Sequence, residues 1–107
     1  MAEKAESTFK RRARRDLDQI SGCWVTKTQQ VSIRGTPDFL ICLNSYFIAI
    51  ELKKDEASVL AEIQSYTLAA IRKAGGMALV STPKSWPTDL KLIKALTSSK
   101  VQKLPHP

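Results

Sequence analysis

The sequence predicts one α/β domain, in the order αβββαβα, built around a mixed sheet. Three observations predict it. Apolar residues recur at helical spacing near the N-terminus, two apolar runs are split by a tight-turn dipeptide, and a strand–helix–strand unit closes on a short, wholly apolar strand. The 107 residues are enough for one core and too few for two, so residues 1–107 are read as a single domain.

In chain order, Phe9, Ala13, Leu17 and Ile20 fall on one helical face, which predicts a helix over 6–21 with Gly22 as its stop. "CWVTKTQQV" (Cys23–Val31) mixes aromatic, β-branched and polar residues and reads as a strand, followed by a loop to Pro37 punctuated by Gly35. Phe39–Leu43 and Tyr46–Lys53 read as a hairpin turning at Asn44-Ser45. A second helix is expected from about Ser58 to Ala74, with Leu60, Ile63, Gln64, Thr67 and Ile71 on its inward face and Gly75-Gly76 as its stop. "MALVS" (Met77–Ser81) is apolar enough for a strand covered on both faces, and the crossover into it should be right-handed and parallel. Pro83 and Pro87 are expected to flank a loop, with Thr88 or Asp89 capping a last helix through Leu96 and "VQKLPHP" as a tail.

Composition narrows the function classes. The chain is 43% hydrophobic and 25% charged, ordinary for a globular protein. It has no apolar run near the roughly 18 residues of a membrane span and no signal-peptide h-region, so a cytoplasmic location is expected, that of the host if the source is viral. Cys23 and Cys42 lie in strand-like contexts and are expected as free thiols. A zinc site is a poor fit, because the one histidine is His106 in the tail. Seventeen Lys+Arg against ten Asp+Glu give a net +7, which favours a polyanionic partner, nucleic acid first among them.

The informative charges are those in the hairpin. A two-residue turn at Asn44-Ser45 sets Leu43 opposite Tyr46, Ile41 opposite Ile48 and, by the same count, Asp38 opposite Glu51. Carboxylates so opposed, with Cβ atoms roughly 4.5–5.5 Å apart, destabilise a hairpin. Lys53, two residues beyond Glu51, returns to the same face. The ordinary alternative is a solvated cluster at frayed strand ends. Converging carboxylates are also what a hard divalent cation requires, because magnesium takes oxygen ligands and leaves positions for water and a phosphate. Two further polar residues lie on inward helix faces: Glu6 extends the apolar stripe of the first helix, and Gln64 sits within that of the second.

This set resembles the PD-(D/E)XK nuclease superfamily, and most closely the small stand-alone VRR-NUC domains and the archaeal-type Holliday-junction resolvases. The matching stretches are "GTPD" (Gly35–Asp38), "IELK" (Ile50–Lys53), Glu6 in "AESTF", Gln64 in "EIQSY" and "AGG" (Ala74–Gly76). The resemblance implies a restriction-endonuclease-like αβββαβ core and a Mg²⁺- or Mn²⁺-dependent phosphodiesterase. It assigns Asp38, Glu51 and the backbone carbonyl of Leu52 to the metal, with Glu6 completing the site directly or through water. Lys53 would orient the attacking water or stabilise the transition state, and Gln64 would steady it. The phosphate contacts would fall to Lys10, Arg11, Arg12, Arg14, Arg15, Arg34 and Lys54. By helical phase Lys10 and Arg14 flank the Glu6 face, while Arg11 and Arg15 lie opposite. The expected activity is a structure-specific DNA endonuclease acting on branched DNA such as Holliday junctions, as a homodimer. A flap or nicking enzyme and a non-catalytic nucleic-acid-binding subunit are the alternatives.

Overall fold

The computed structural model describes residues 2–28 and 35–98, with side chains from Ala5 onward. Arg34, the predicted strand's end at Val31, His106 and the "VQKLPHP" tail lie outside the described residues.

Helix α1 (Ala2–Asp18) is followed by strands β1 (Cys23–Lys27), β2 (Phe39–Leu43) and β3 (Tyr46–Leu52), helix α2 (Glu62–Lys73), strand β4 (Met77–Ser81), helix α3 (Trp86–Ala95) and a 3₁₀ turn (Leu96–Ser98). The sheet runs β1-β2-β3-β4, antiparallel except for the parallel β3–β4 pair. That is the α/β mixed-sheet architecture the sequence predicts. The hairpin register is also the expected one, with Leu43 opposite Tyr46 and Phe39 opposite Ile50. Its turn places Asn44 and Ser45 at φ 50° and 73°, the left-handed pair that matches the twist of two-residue hairpins. Asn44 Nδ2 donates to the Leu96 carbonyl at 2.8 Å, tying the hairpin tip to the end of α3.

Alternation along the strands sends Phe39, Ile41, Leu43, Ile48, Ile50 and Leu52 to one face. There they meet Phe9, Ala13, Leu17 and Ile20 of the N-terminal segment and Trp86 and Ile93 of α3. Trp86 is fully buried, stands edge-on to Phe9 with ring centroids 6.2 Å apart, and donates its indole N–H to Asp16 Oδ2 at 2.9 Å. On the other face α2 packs against β4 and buries Leu68, while Trp24, Cys42 and Phe47, neighbours across β1–β2–β3, are exposed. Cys23 and Cys42 are both free thiols. Among the described residues no helix is long and apolar enough to cross a membrane.

Several boundaries differ from expectation, the larger shifts for local reasons. Helix α1 starts earlier, because helical backbone continues past the polar end of the apolar stripe, and it ends at Asp18. Ile20 is buried from the turn beyond it, which Gly22 closes at φ 75°. Helix α2 starts at Glu62, not Ser58, because Asp55 draws the preceding residues into a turn of their own. Its Oδ1 accepts from the Ala57 N–H and the Ser58 hydroxyl, each at 3.0 Å. The buried row of α2 runs through Leu68, so Ile63, expected to face inward, is exposed. Pro87 belongs to the first turn of α3 and not to the loop before it, as its missing N–H permits.

The packing carries a prediction. Replacing Trp86 by Ala empties the contact between α1, α3 and the sheet, and should lower stability by roughly 3–5 kcal/mol. Urea denaturation checks it. A loss below about 1 kcal/mol, the scale of an exposed substitution, would mean the indole is not part of the core.

Candidate active site

The loop before β2 delivers Asp38. Gly35 has φ 80°, and a Cβ there would sit 2.9 Å from the Ile63 carbonyl oxygen, so only glycine lets this loop lie against the start of α2. Thr28, just past β1, holds the next residues: its N–H donates to the Asp38 carbonyl at 3.0 Å, and its hydroxyl to the Pro37 carbonyl. Asp38 thereby enters the sheet 4% exposed. Its Oδ2 accepts the Leu52 N–H across the hairpin at 2.7 Å. Its Oδ1 lies 3.0 Å from the ammonium of Lys10 on α1, which is also 3.6 Å from Glu6 Oε1.

Glu51, in the strand opposite, is 3% exposed. Its Oε2 accepts from Gln64 Nε2 at 2.7 Å and lies 3.5 Å from Lys53 Nζ. The Gln64 carbonyl oxygen accepts from Lys53 Nζ at 3.1 Å and from the Ala61 N–H at 3.0 Å, so one amide caps α2 and orients the lysine. The backbone of Lys53 is fixed as well, its N–H donating to the Ser81 carbonyl at 2.9 Å. The other oxygen of Glu51, Oε1, is buried without a hydrogen-bond partner, and no other side chain among the described residues shares that condition. Burial first, and the charge of Asp38 second, push the Glu51 carboxyl up to about 7 against the pull of Lys53 and Lys10. Burial works to lower the Lys10 ammonium, yet the hydrogen bond and charge of Asp38, with Glu6 and Glu51 behind it, leave it raised.

Asp38, Glu51, Lys53 and Gln64 thus meet at one place, drawn from the loop, β3 and α2. Glu6 is at the rim, 40% exposed and linked to the others through Lys10. Among the described residues no three His, Cys, Asp or Glu side chains gather at one point, so the carboxylate donors of this site are two. The donor set fits a hard cation. An orphaned, desolvated carboxylate oxygen beside a second carboxylate gains most from a metal, and backbone and water oxygens suit the remaining positions.

Beside the site runs a groove of about 700 Å³ lined by Lys10, Arg11, Arg14, Arg15 and Lys27. The helical phase alone had set Arg11 and Arg15 apart from Lys10 and Arg14. The groove takes in both pairs because it follows the flank and the outer side of α1. Arg14 is held by Asp18 at 3.1 Å, and Arg12 turns toward Asp16 at 4.0 Å. Lys54 is exposed just beyond β3. Two contributors escaped the sequence reading. Lys27 carried no signal. The site contact of Lys10 had one, the i,i+4 spacing from Glu6.

No protein-family model and no curated protein matches the sequence. Solved structures do match its fold. A structure described as a VRR_NUC domain is 24% identical, with a TM-score of 0.70 over 81% of this chain and 95% of its own. A second, a VRR_NUC domain protein, is 17% identical, with a TM-score of 0.62 over 89% of this chain and 86% of its own. Archaeoglobus fulgidus Hjc, a Holliday junction resolvase from an archaeal hyperthermophile, is 21% identical, with a TM-score of 0.54 over 72% of this chain and 68% of its own. The resemblance read from the motifs is therefore matched by a shared fold.

The raised carboxyl predicts how stability depends on pH. With its folded value near 7 and its ordinary value of 4.5, the contribution of Glu51 is fully present below pH 4.5 and is lost as pH rises through 7. The metal-free protein should lose on the order of 3 kcal/mol across that window relative to Glu51→Gln, at about 1.4 kcal/mol per unit. Denaturant titrations of both proteins at pH 4.5 and 8 measure the difference. Parallel pH profiles would show that the carboxylate is not desolvated as described.

Proposed function

We propose that this protein is a metal-dependent, structure-specific DNA endonuclease that hydrolyses phosphodiester bonds in branched DNA such as Holliday junctions. The single observation that carries the reading is the unpartnered, buried Glu51 Oε1 beside Asp38. Such a group costs the fold stability, and a cation seated on it would remove that cost. The fold shared with VRR_NUC domains and with an archaeal resolvase supports the same reading, as does the basic groove that begins at the site.

Asp38, Glu51 and the Leu52 carbonyl would hold Mg²⁺ or Mn²⁺, with Glu6 contributing at the rim through water. Such a cation would supply a lowered pKa for a bound water and polarisation of the phosphoryl oxygen. The chain's own groups do the rest. Gln64 fixes the Lys53 ammonium at 3.1 Å, so that Lys53 meets the attacking water or the charge growing on the phosphoryl oxygens without reorganising first. The Leu52 N–H holds one oxygen of Asp38 and thus sets the direction of the other. Lys10, Arg11, Arg14 and Arg15, with Lys54 and Arg34, take backbone phosphates. A single domain of this size grips two arms of a junction by acting as a homodimer. The uncovered row of Trp24, Cys42 and Phe47 supplies an apolar face suited to a second copy. The site lies in the cytoplasm under this reading, where branched DNA is met. A flap or nicking endonuclease shares the chemistry and differs only in the DNA shape accepted. A non-catalytic binding subunit would share the groove without needing the orphaned oxygen.

A gel comparing four-way, flapped, duplex and single-stranded DNA, with and without Mg²⁺, tests the substrate. Cleavage of the four-way form above the others is expected. Asp38→Asn, Glu51→Gln and Lys53→Ala should each abolish cutting while the proteins remain folded by circular dichroism. Full activity in Asp38→Asn would sink the assignment. Binding gives an independent measure, since Arg11→Ala or Arg15→Ala should weaken DNA affinity for all sequences alike. Each should flatten its salt dependence by about one unit of slope per lost phosphate contact. A wild-type slope in both variants would leave the groove as no more than a solvated face.

A further inference from the structure

Among the described residues, Lys10 alone both pairs with a site carboxylate and lines the basic groove. Its ammonium is 3.0 Å from Asp38 and 3.6 Å from Glu6, with about three-quarters of the side chain covered (26% exposed). The stem has four flexible carbons, so the same Cα can present the charge at more than one place. Arg11, Arg14 and Arg15 lie further along the same groove.

We propose that Lys10 is a two-position positioning residue. It is the counter-ion of Asp38 and Glu6 in the free protein, and the ligand of a substrate backbone phosphate once a divalent cation takes the carboxylates. The inference rests on the nuclease reading above and adds a coupling to it. Asp38 Oδ1 cannot keep an ammonium at 3.0 Å and also face a divalent cation without like charges meeting, so one of the two must yield. The groove supplies the exchange, because a phosphate there offers Lys10 an anion as it leaves Asp38. Binding free energies are reciprocal. A strand in the groove therefore strengthens the hold on the cation, and the cation strengthens the grip on the strand. In the absence of DNA, Lys10 competes for the carboxylates and keeps the cation affinity low.

The experiment is calorimetric titration of MgCl₂ into the whole chain without DNA. Lys10→Met should bind Mg²⁺ roughly tenfold more tightly than wild type, the scale on which one close charge moves a neighbouring ionic equilibrium. Arg14→Met removes equal charge from the same groove and should change it less than about twofold, as an exposed charge does. In a Lys53→Ala background, which does not cut, adding a short duplex should tighten Mg²⁺ binding, and Lys10→Met should shrink that gain. Lys10→Gln repeats each measurement in case the thioether disturbs α1. Unchanged or weaker Mg²⁺ binding in Lys10→Met, or an equal gain from Arg14→Met, overturns the proposal. Asp38→Asn tells the two failures apart. If it loses Mg²⁺ binding while Lys10→Met gains nothing, only the role of Lys10 is wrong. If Mg²⁺ binding is absent or indifferent to Asp38→Asn, the metal reading falls and takes the proposal with it.

Discussion

The Glu51 carboxylate, buried and satisfied on one oxygen only, is the constraint around which the rest of the structure is arranged. A carboxylate in that position costs several kcal/mol if it stays charged, and its raised pKa expresses the cost. Asp38 adds to that cost, and three other neighbours are placed to reduce it. Gln64 and Lys53 converge on Oε2 from α2 and from the end of β3, and Lys10 reaches in from α1. Three separate elements thus contribute to one charge, which fixes where they lie relative to each other.

The two faces of the sheet divide the labour. Between α1, α3 and one face lies an ordinary apolar core, anchored by Trp86. Its packing supplies the stability that the polar end of the sheet spends. Helix α1 belongs to both worlds. Phe9, Ala13 and Leu17 bind it to the core, while Glu6 and Lys10, one turn apart, carry charge to the site, and its arginines line the groove. A shift of α1 along the sheet would therefore disturb core, site and groove at once.

Much of this was legible in the sequence because it depends on short-range regularities. The tight turn at Asn44-Ser45 fixes the register, and the register alone sets Asp38 against Glu51. Helical phase put Phe9, Ala13, Leu17 and Ile20 inward, and all four are buried. Gln64 could be placed on the inward side of α2 with half-buried Leu60, Thr67 and Ile71, although Ile63 is exposed and the fully buried position is Leu68. What could not be read depended on long side chains and on loops. The i,i+4 spacing pairs Lys10 with Glu6, but nothing local says that its ammonium also reaches Asp38, 28 positions away in a different element. Nor does phase alone say that a groove will gather arginines from both sides of a helix. The start of α2 was missed because Asp55 competes for backbone donors, an interaction that apolar periodicity does not record.

Gln64 carries a consequence of its own. Its one amide makes three hydrogen bonds, to the N–H that opens α2, to the Lys53 ammonium and to the Glu51 carboxylate. Asparagine is a methylene too short to make all three. Glutamate keeps the acceptor but turns a second negative charge on Glu51, and leucine or methionine fills the space while answering none of the three. Half-exposed positions ordinarily tolerate exchange, since little packing is lost. Here interchangeability is decided by the number of partners and not by burial. Position 64 is therefore the place in α2 where the alphabet of twenty side chains narrows to one.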